Sequence, residues 1–176
     1  MIKVPFRAVL ISLVALVAIG GLVVPNLPTA SPNGDSASGA CTSSGISLVV
    51  DFGSDSKIQP VIRCVRGLDL SGWQILEQAA LRVEGTSEYP KAFVCRINDW
   101  PSEIAEDCMG TPGLTGGSWV YFYSKPGNNG WQRSPVGAAT RKPLCGEVEG
   151  WLFVNQITGD QKFTSPKIEP SPFSCK

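Results

Sequence analysis

The chain has 176 residues, with fifteen Lys and Arg against fifteen Asp and Glu and no histidine. Balanced charge without a Lys/Arg cluster excludes the electrostatic footprint of a nucleic-acid binder, and the missing imidazole removes the usual general base and the usual metal ligand. Six cysteines with no C-x-x-C pair fit disulfides in an exported domain better than a metal site.

The chain opens with Lys3 and Arg7 and then the apolar run AVLISLVALVAIGGLVV from Ala8 to Val24. Residues 1–24 therefore predict a signal peptide or membrane anchor that places everything downstream on the outer face, secreted or anchored there. The membrane is expected to matter only through this segment. Ser38-Gly39-Ala40 offers small residues for cleavage but lies far from the apolar run, as does Cys41 for lipidation. Residues 25–44, rich in Pro, Ser, Gly and Asn, read as a flexible linker.

From Gly45 the pattern changes. Ile46, Leu48, Val50 and Phe52 alternate with Ser47, Val49 and Asp51, predicting a strand with one strongly apolar face. Gly53 to Ser56 reads as its turn and Ile58 to Arg66 as the returning strand, at an edge because of Pro60. Ser71 and Gln74 have capping-box spacing, so a helix runs from Ser71 to Leu81 with Trp73, Leu76 and Ala80 on one face. Ala92 to Ile97 predicts a third strand, followed by a turn and a loop that Cys108 closes. Ser118 to Tyr123 predicts a fourth strand, which Gly127-Asn128-Asn129-Gly130 turns back through Trp131. Gly150 to Val154 is the last strand, and residues 156–176 form a Pro-rich tail.

Hairpin, helix, strand, hairpin, strand predicts an α+β fold over residues 45–155: a β-grasp-like mixed sheet with one packed helix, stapled by disulfides. A β-sandwich is the alternative if residues 71–81 are not helical. Closeness in the chain favours pairing Cys41 with Cys64, Cys95 with Cys108, and Cys145 with Cys175, although six cysteines allow other connectivities.

No nucleophile motif is visible, and the acids Glu103, Glu106, Asp107, Glu147 and Glu149 read as solvated surface. The expectation is a non-enzymatic binding module that needs no cofactor. Alternation sends Trp119, Tyr121 and Tyr123 to one face and Val120 and Phe122 to the other. Polar ring tips make the first face the better candidate for a surface edge and the second for the core, although a small domain needs aromatic burial in any case, which favours core over ligand contact for these rings too. Trp119, Tyr121, Tyr123, Trp131 and Trp100 are the candidate ligand contacts.

SGWQILEQAA, AFVCRIND, SWVYFYSKPGNNGWQ and VEGWLF together resemble the transcobalamin-like C-terminal domain, in particular its secreted actinobacterial members. The resemblance covers Ile46 to Val154 and is carried by Val49 to Gly53, Cys64, Phe93 to Ile97, Cys108 to Pro112 and Val148 to Trp151. It implies a β-grasp domain of the kind that closes over a corrinoid (cobalamin). In vitamin B12 carriers a helical-barrel domain supplies much of that site, so a separate envelope partner protein is implied here. A cobalt-ligating histidine cannot come from this chain, and Cys145 and Cys175 are additional to the expected cysteines. Two other readings stand beside it: a cell-envelope module that binds protein or glycan, and a secreted serine-protease inhibitor offering the loop between Cys95 and Cys108.

Overall fold

A computed structural model describes residues 35–112, 117–128, 130–155 and 164–175, which belong to one compact unit. The expected signal peptide or anchor lies outside the described residues, as does most of the linker. In chain order the elements are β1 (Ser36–Ser38), β2 (Ile46–Asp51), β3 (Val61–Val65), α1 (Gly72–Gln78), β4 (Val83–Gly85), β5 (Val94–Ile97), β6 (Ser118–Ser124), β7 (Gln132–Arg133) and β8 (Val148–Val154). Mostly sheet with one helix among the described residues, the fold is α+β.

The main sheet has the strand order β1-β3-β2-β8-β6-β7, and β4 pairs with β5 in a separate two-stranded ribbon. At its centre β2 and β8 run parallel, Val50 facing Trp151, and the other pairings are antiparallel. Both central strands are almost wholly buried, as strands covered on two faces must be. The first hairpin turns at Gly53, whose φ of +86° suits a residue without Cβ and whose N–H donates to Asp51 Oδ1 at 3.0 Å.

The helix begins with the capping box its sequence announces. Gln74 N–H donates to Ser71 Oγ at 3.2 Å, and Ser71 N–H donates to Gln74 Oε1 at 2.9 Å. It is shorter than the expected Ser71–Leu81 segment because Ala80 turns left-handed at φ +58°. The buried set is accordingly Trp73, Ile75, Leu76 and Ala79, and Ala80 faces solvent.

Two corrections concern which residues are covered. Ser36–Ser38 and Cys41, assigned to the linker, are part of the fold: β1 pairs outside β3, Arg66 N–H donates to Asp35 O at 2.9 Å, and Cys41 is bonded to Cys64. Backbone pairing needs no apolar side chain, so composition is silent about it. It also moves β3, expected at an edge, inside the sheet.

The second correction reverses the two faces of β6. The helix packs on the face carrying Trp119, Tyr121, Trp151 and Phe153, together with Ile46, Leu48, Val50 and Phe52. Val120, Phe122 and Leu152 form a smaller cluster on the opposite face, with Trp131 and Val154 against it. Ring volume outweighs the polar tips: the space under the helix takes the largest rings, each burying on the order of 150–250 Å². Trp119 Nε1, Trp151 Nε1 and Tyr121 Oη are buried there without a hydrogen-bond partner.

Candidate functional site

The expected aromatic surface does not assemble. Trp119 lies edge-on to Phe52 and Phe153 at centroid distances of 5.6 and 5.4 Å, and Tyr121 stacks on Trp151 at 4.5 Å, so both are core residues. Tyr123 is half-buried with the Arg141 guanidinium 4.4 Å over its ring. Trp100 is half-buried, edge-on to Phe153 at 5.9 Å. Trp131 sits on the opposite face of the sheet, over Gly150, where a Cβ would lie 2.6 Å from its ring. Its Nε1 donates to the carbonyl of Ile168 at 2.9 Å. Of the five candidates, Trp119 and Tyr121 are buried, Trp100, Tyr123 and Trp131 are half-buried, and Trp131 is on the opposite face from Trp119, Tyr121 and Trp100.

Glu147 and Glu149 are buried, not solvated. Arg141 Nη2 donates to Glu147 Oε2 at 2.6 Å and stands 3.5 Å from Glu149 Oε1, too poorly aligned for a hydrogen bond. Lys125 Nζ is 3.9 Å from Glu147 Oε1. Burial pushes the Glu149 carboxyl well above the usual glutamate range, towards the neutral acid. The strand approach looked exposed because alternation alone does not show that the loop just before it folds Arg141 back over these carboxylates. The group is a sealed ion pair beside a buried acid, with Tyr123 forming one wall.

The loop between Cys95 and Cys108 is built differently from the rest of the surface. Arg96 of β5 is 5% exposed, and its guanidinium fork grips both stems of that loop. Nε donates to Pro101 O at 2.7 Å, Nη2 donates to Glu106 O at 2.6 Å, and Nη1 pairs with Glu84 of β4. The stems are also tied by the Cys95–Cys108 disulfide, and Ser87 N–H donates to Cys108 O at 2.7 Å. At the apex, Ala105 and Glu106 N–H both donate to Ser102 O at 3.0 Å, making a tight turn. Ile104 stands on that turn fully exposed, at 101%. Glu103, Glu106 and Asp107 are its near neighbours in the chain, Asp99 pairs with Arg82, and no Lys or Arg occurs between Ile97 and Pro112.

Sequence reasoning placed the acids of this loop but missed Arg96 and Ile104. An arginine inside the apolar run of β5, next to a half-cystine, was the available signal, because such a side chain needs acceptors nearby. The three disulfides follow the pairing that closeness in the chain favours, and they point to an oxidising environment. Among the described residues, no helix is long and apolar enough to cross a membrane, and no cluster of His, Cys, Asp or Glu is arranged to hold a metal ion. Compared with known proteins, the chain matches no family model, no curated protein and no solved structure.

Proposed function

We propose that the chain is an exported, non-enzymatic module that binds a partner protein through the Cys95–Cys108 loop. The observation that carries this reading is the buried Arg96, which spends its hydrogen bonds on holding a loop whose tip is a fully exposed Ile104. A loop already fixed in one shape loses little conformational entropy on binding. An apolar residue on an acidic loop fits an apolar pocket with a basic rim, which also speeds encounter. The turn at Ser102–Glu106 is not the extended strand a protease cleft takes, so the inhibitor reading gains nothing from it.

The strand order, with the first long strand and the last parallel at the centre, supports a β-grasp-like arrangement. The corrinoid reading called for rings at the surface, and the buried Trp119 and Tyr121 give it no support. Titration with cobalamin is its direct check: unchanged Trp fluorescence and visible spectrum count against it.

A photo-crosslinking residue at position 104 tests the main reading. An adduct in the envelope fraction, lost when Glu103 and Asp107 are both changed to Lys, is the expected result. The same residue at position 68, where Leu68 is 95% exposed outside the loop, is the control. Identical adducts from both positions would reject the reading.

A further inference from the structure

The chain's own tail is tied to the second face of the main sheet. Residues 164–175 form neither helix nor strand, yet they are held at defined points. Pro166 is fully buried, Lys167 N–H donates to Asp51 Oδ2 at 2.8 Å, and Ile168 O accepts from Trp131 Nε1 at 2.9 Å. Phe173 N–H donates to Gly146 O at 3.0 Å, and Cys175 is bonded to Cys145. Glycine is needed on the sheet side at two of these contacts: a Cβ at Gly146 would lie 1.9 Å from Phe173 O, and one at Gly150 would strike the Trp131 ring. An indole N–H donating to a backbone carbonyl of a proline-containing segment, beside a buried proline, is the kind of contact by which aromatic grooves hold such peptides.

The three disulfides differ in access. Cys41, Cys64, Cys95 and Cys108 are between 2% and 5% exposed, whereas Cys145 is exposed and Cys175 half-exposed. Thiol–disulfide exchange requires a thiolate to reach a sulfur, so a dithiol meets Cys145–Cys175 first. Its first thiolate breaks the Cys145–Cys175 bond and forms a mixed disulfide with one of the two cysteines. Its second thiol resolves that intermediate. The dithiol leaves as a disulfide, and Cys145 and Cys175 are left as thiols. What then holds the tail is a handful of hydrogen bonds and one proline.

We infer that residues 164–175 are a thiol-released strap over a peptide groove. The groove, formed by Trp131, Phe122, Leu152, Asp51 and Gly150, takes a proline-containing segment of a partner protein once Cys145–Cys175 is reduced. The strap is the built-in copy of that ligand, so its chemistry defines the ligand class: a buried proline, an N–H for Asp51 and a carbonyl for Trp131. This contact lies on the sheet face away from the helix and does not depend on the Cys95–Cys108 loop.

The full-length protein, the full-length Cys145→Ser/Cys175→Ser variant and a synthetic peptide of residues 164–174 test the inference. Limiting dithiol followed by alkylation should label Cys145 and Cys175 alone. Labelling of the other four cysteines at the same dithiol concentration overturns the gate. Hydrogen exchange at the Lys167 and Phe173 amides should rise at least tenfold in the variant, and unchanged protection also overturns the gate. The variant should bind the peptide saturably and at least tenfold more tightly than the oxidised protein, with Trp131→Ala in the same background removing that binding. An opened strap with no peptide binding, or with self-association in place of it, overturns the groove.

Discussion

Arg96 donates to the carbonyl of Glu106, ten positions further along the chain, while the loop between them carries an exposed isoleucine at its tip. A guanidinium is suited to this because its planar fork reaches several acceptors at once. Arg96→Met keeps much of the volume and removes the fork, leaving the Pro101 and Glu106 carbonyls without that donor. We expect a loss of about 2–4 kcal/mol, since each buried group left unsatisfied costs about 1–3 kcal/mol. Urea unfolding measures it, and hydrogen exchange at Ala105 and Glu106 should rise more than in the sheet. A variant as stable as the parent would mean the loop is held by its disulfide alone.

Glu149 gives a pH dependence with a definite sign. Its folded-state pKa is raised by burial, so the folded form keeps the proton after an unfolded chain has released it. Stability from this group is therefore unaffected below the ordinary glutamate value, falls as pH rises above it, and levels off beyond the folded pKa. Glu149→Gln removes the titration. The variant should match the parent at pH 4 and exceed it at pH 8 by more than about 1 kcal/mol, one pKa unit being about 1.4 kcal/mol. Denaturation at both pH values checks this. The groups facing the carboxyl are Arg141, Glu147 and Tyr123, with Lys125 beyond Glu147. If Arg141 turned to serve Glu149 as a carboxylate, the difference would vanish.

Gly72 is a helical position where alanine would ordinarily be favoured, by about 1 kcal/mol. Here a Cβ would lie 2.2 Å from Tyr121 Oη and 2.9 Å from Cζ. Gly72→Ala should therefore destabilise the protein, by about 1–3 kcal/mol for a forced repacking. Tyr121→Phe removes a hydroxyl that has no hydrogen-bond partner, so alone it should be close to neutral. In the double variant it should recover part of the loss, and a double-mutant cycle on thermal or urea unfolding reads the coupling.

The Cys95–Cys108 disulfide closes a loop of sequence separation 13. Replacing both cysteines with alanine should cost about 3 kcal/mol through the regained freedom of the unfolded chain. With Arg96 still in place the loop should keep its turn in the folded state. Crosslinking from position 104 should therefore survive below the new melting temperature, although the midpoint itself falls.

Much of the fold was legible because the local signals were strong. Alternation in Ile46–Phe52, the Ser71/Gln74 box and the Gly-Asn-Asn-Gly turn each named an element that the structure contains. What failed were statements about which face is covered. Alternation separates Trp119 and Tyr121 from Val120 and Phe122 but does not say where the helix lies, and both sets prove buried. Nor can it foresee that Arg141 would arrive over Glu147, or that the tail would return to cover Trp131. The tail contact joins parts of the chain that no local pattern links, and the Arg141 contact, though near in sequence, depends on how an irregular loop folds back. The Cys95–Cys108 loop was visible as a closed acidic segment, but its clamp lies inside a strand that reads as ordinary core.

The short strand β1 has a mechanical consequence. Tension applied to the chain ahead of Asp35 falls first on three residues paired to β3 and then meets the Cys41–Cys64 bond, which lies between that pull and the first core strand. Peeling therefore stops at a covalent bond after a few residues, and the load passes through Cys64 into β3, where the ladder to β2 shares it with the sheet. The fold is arranged so that whatever tugs on its leading segment can fray only a rim.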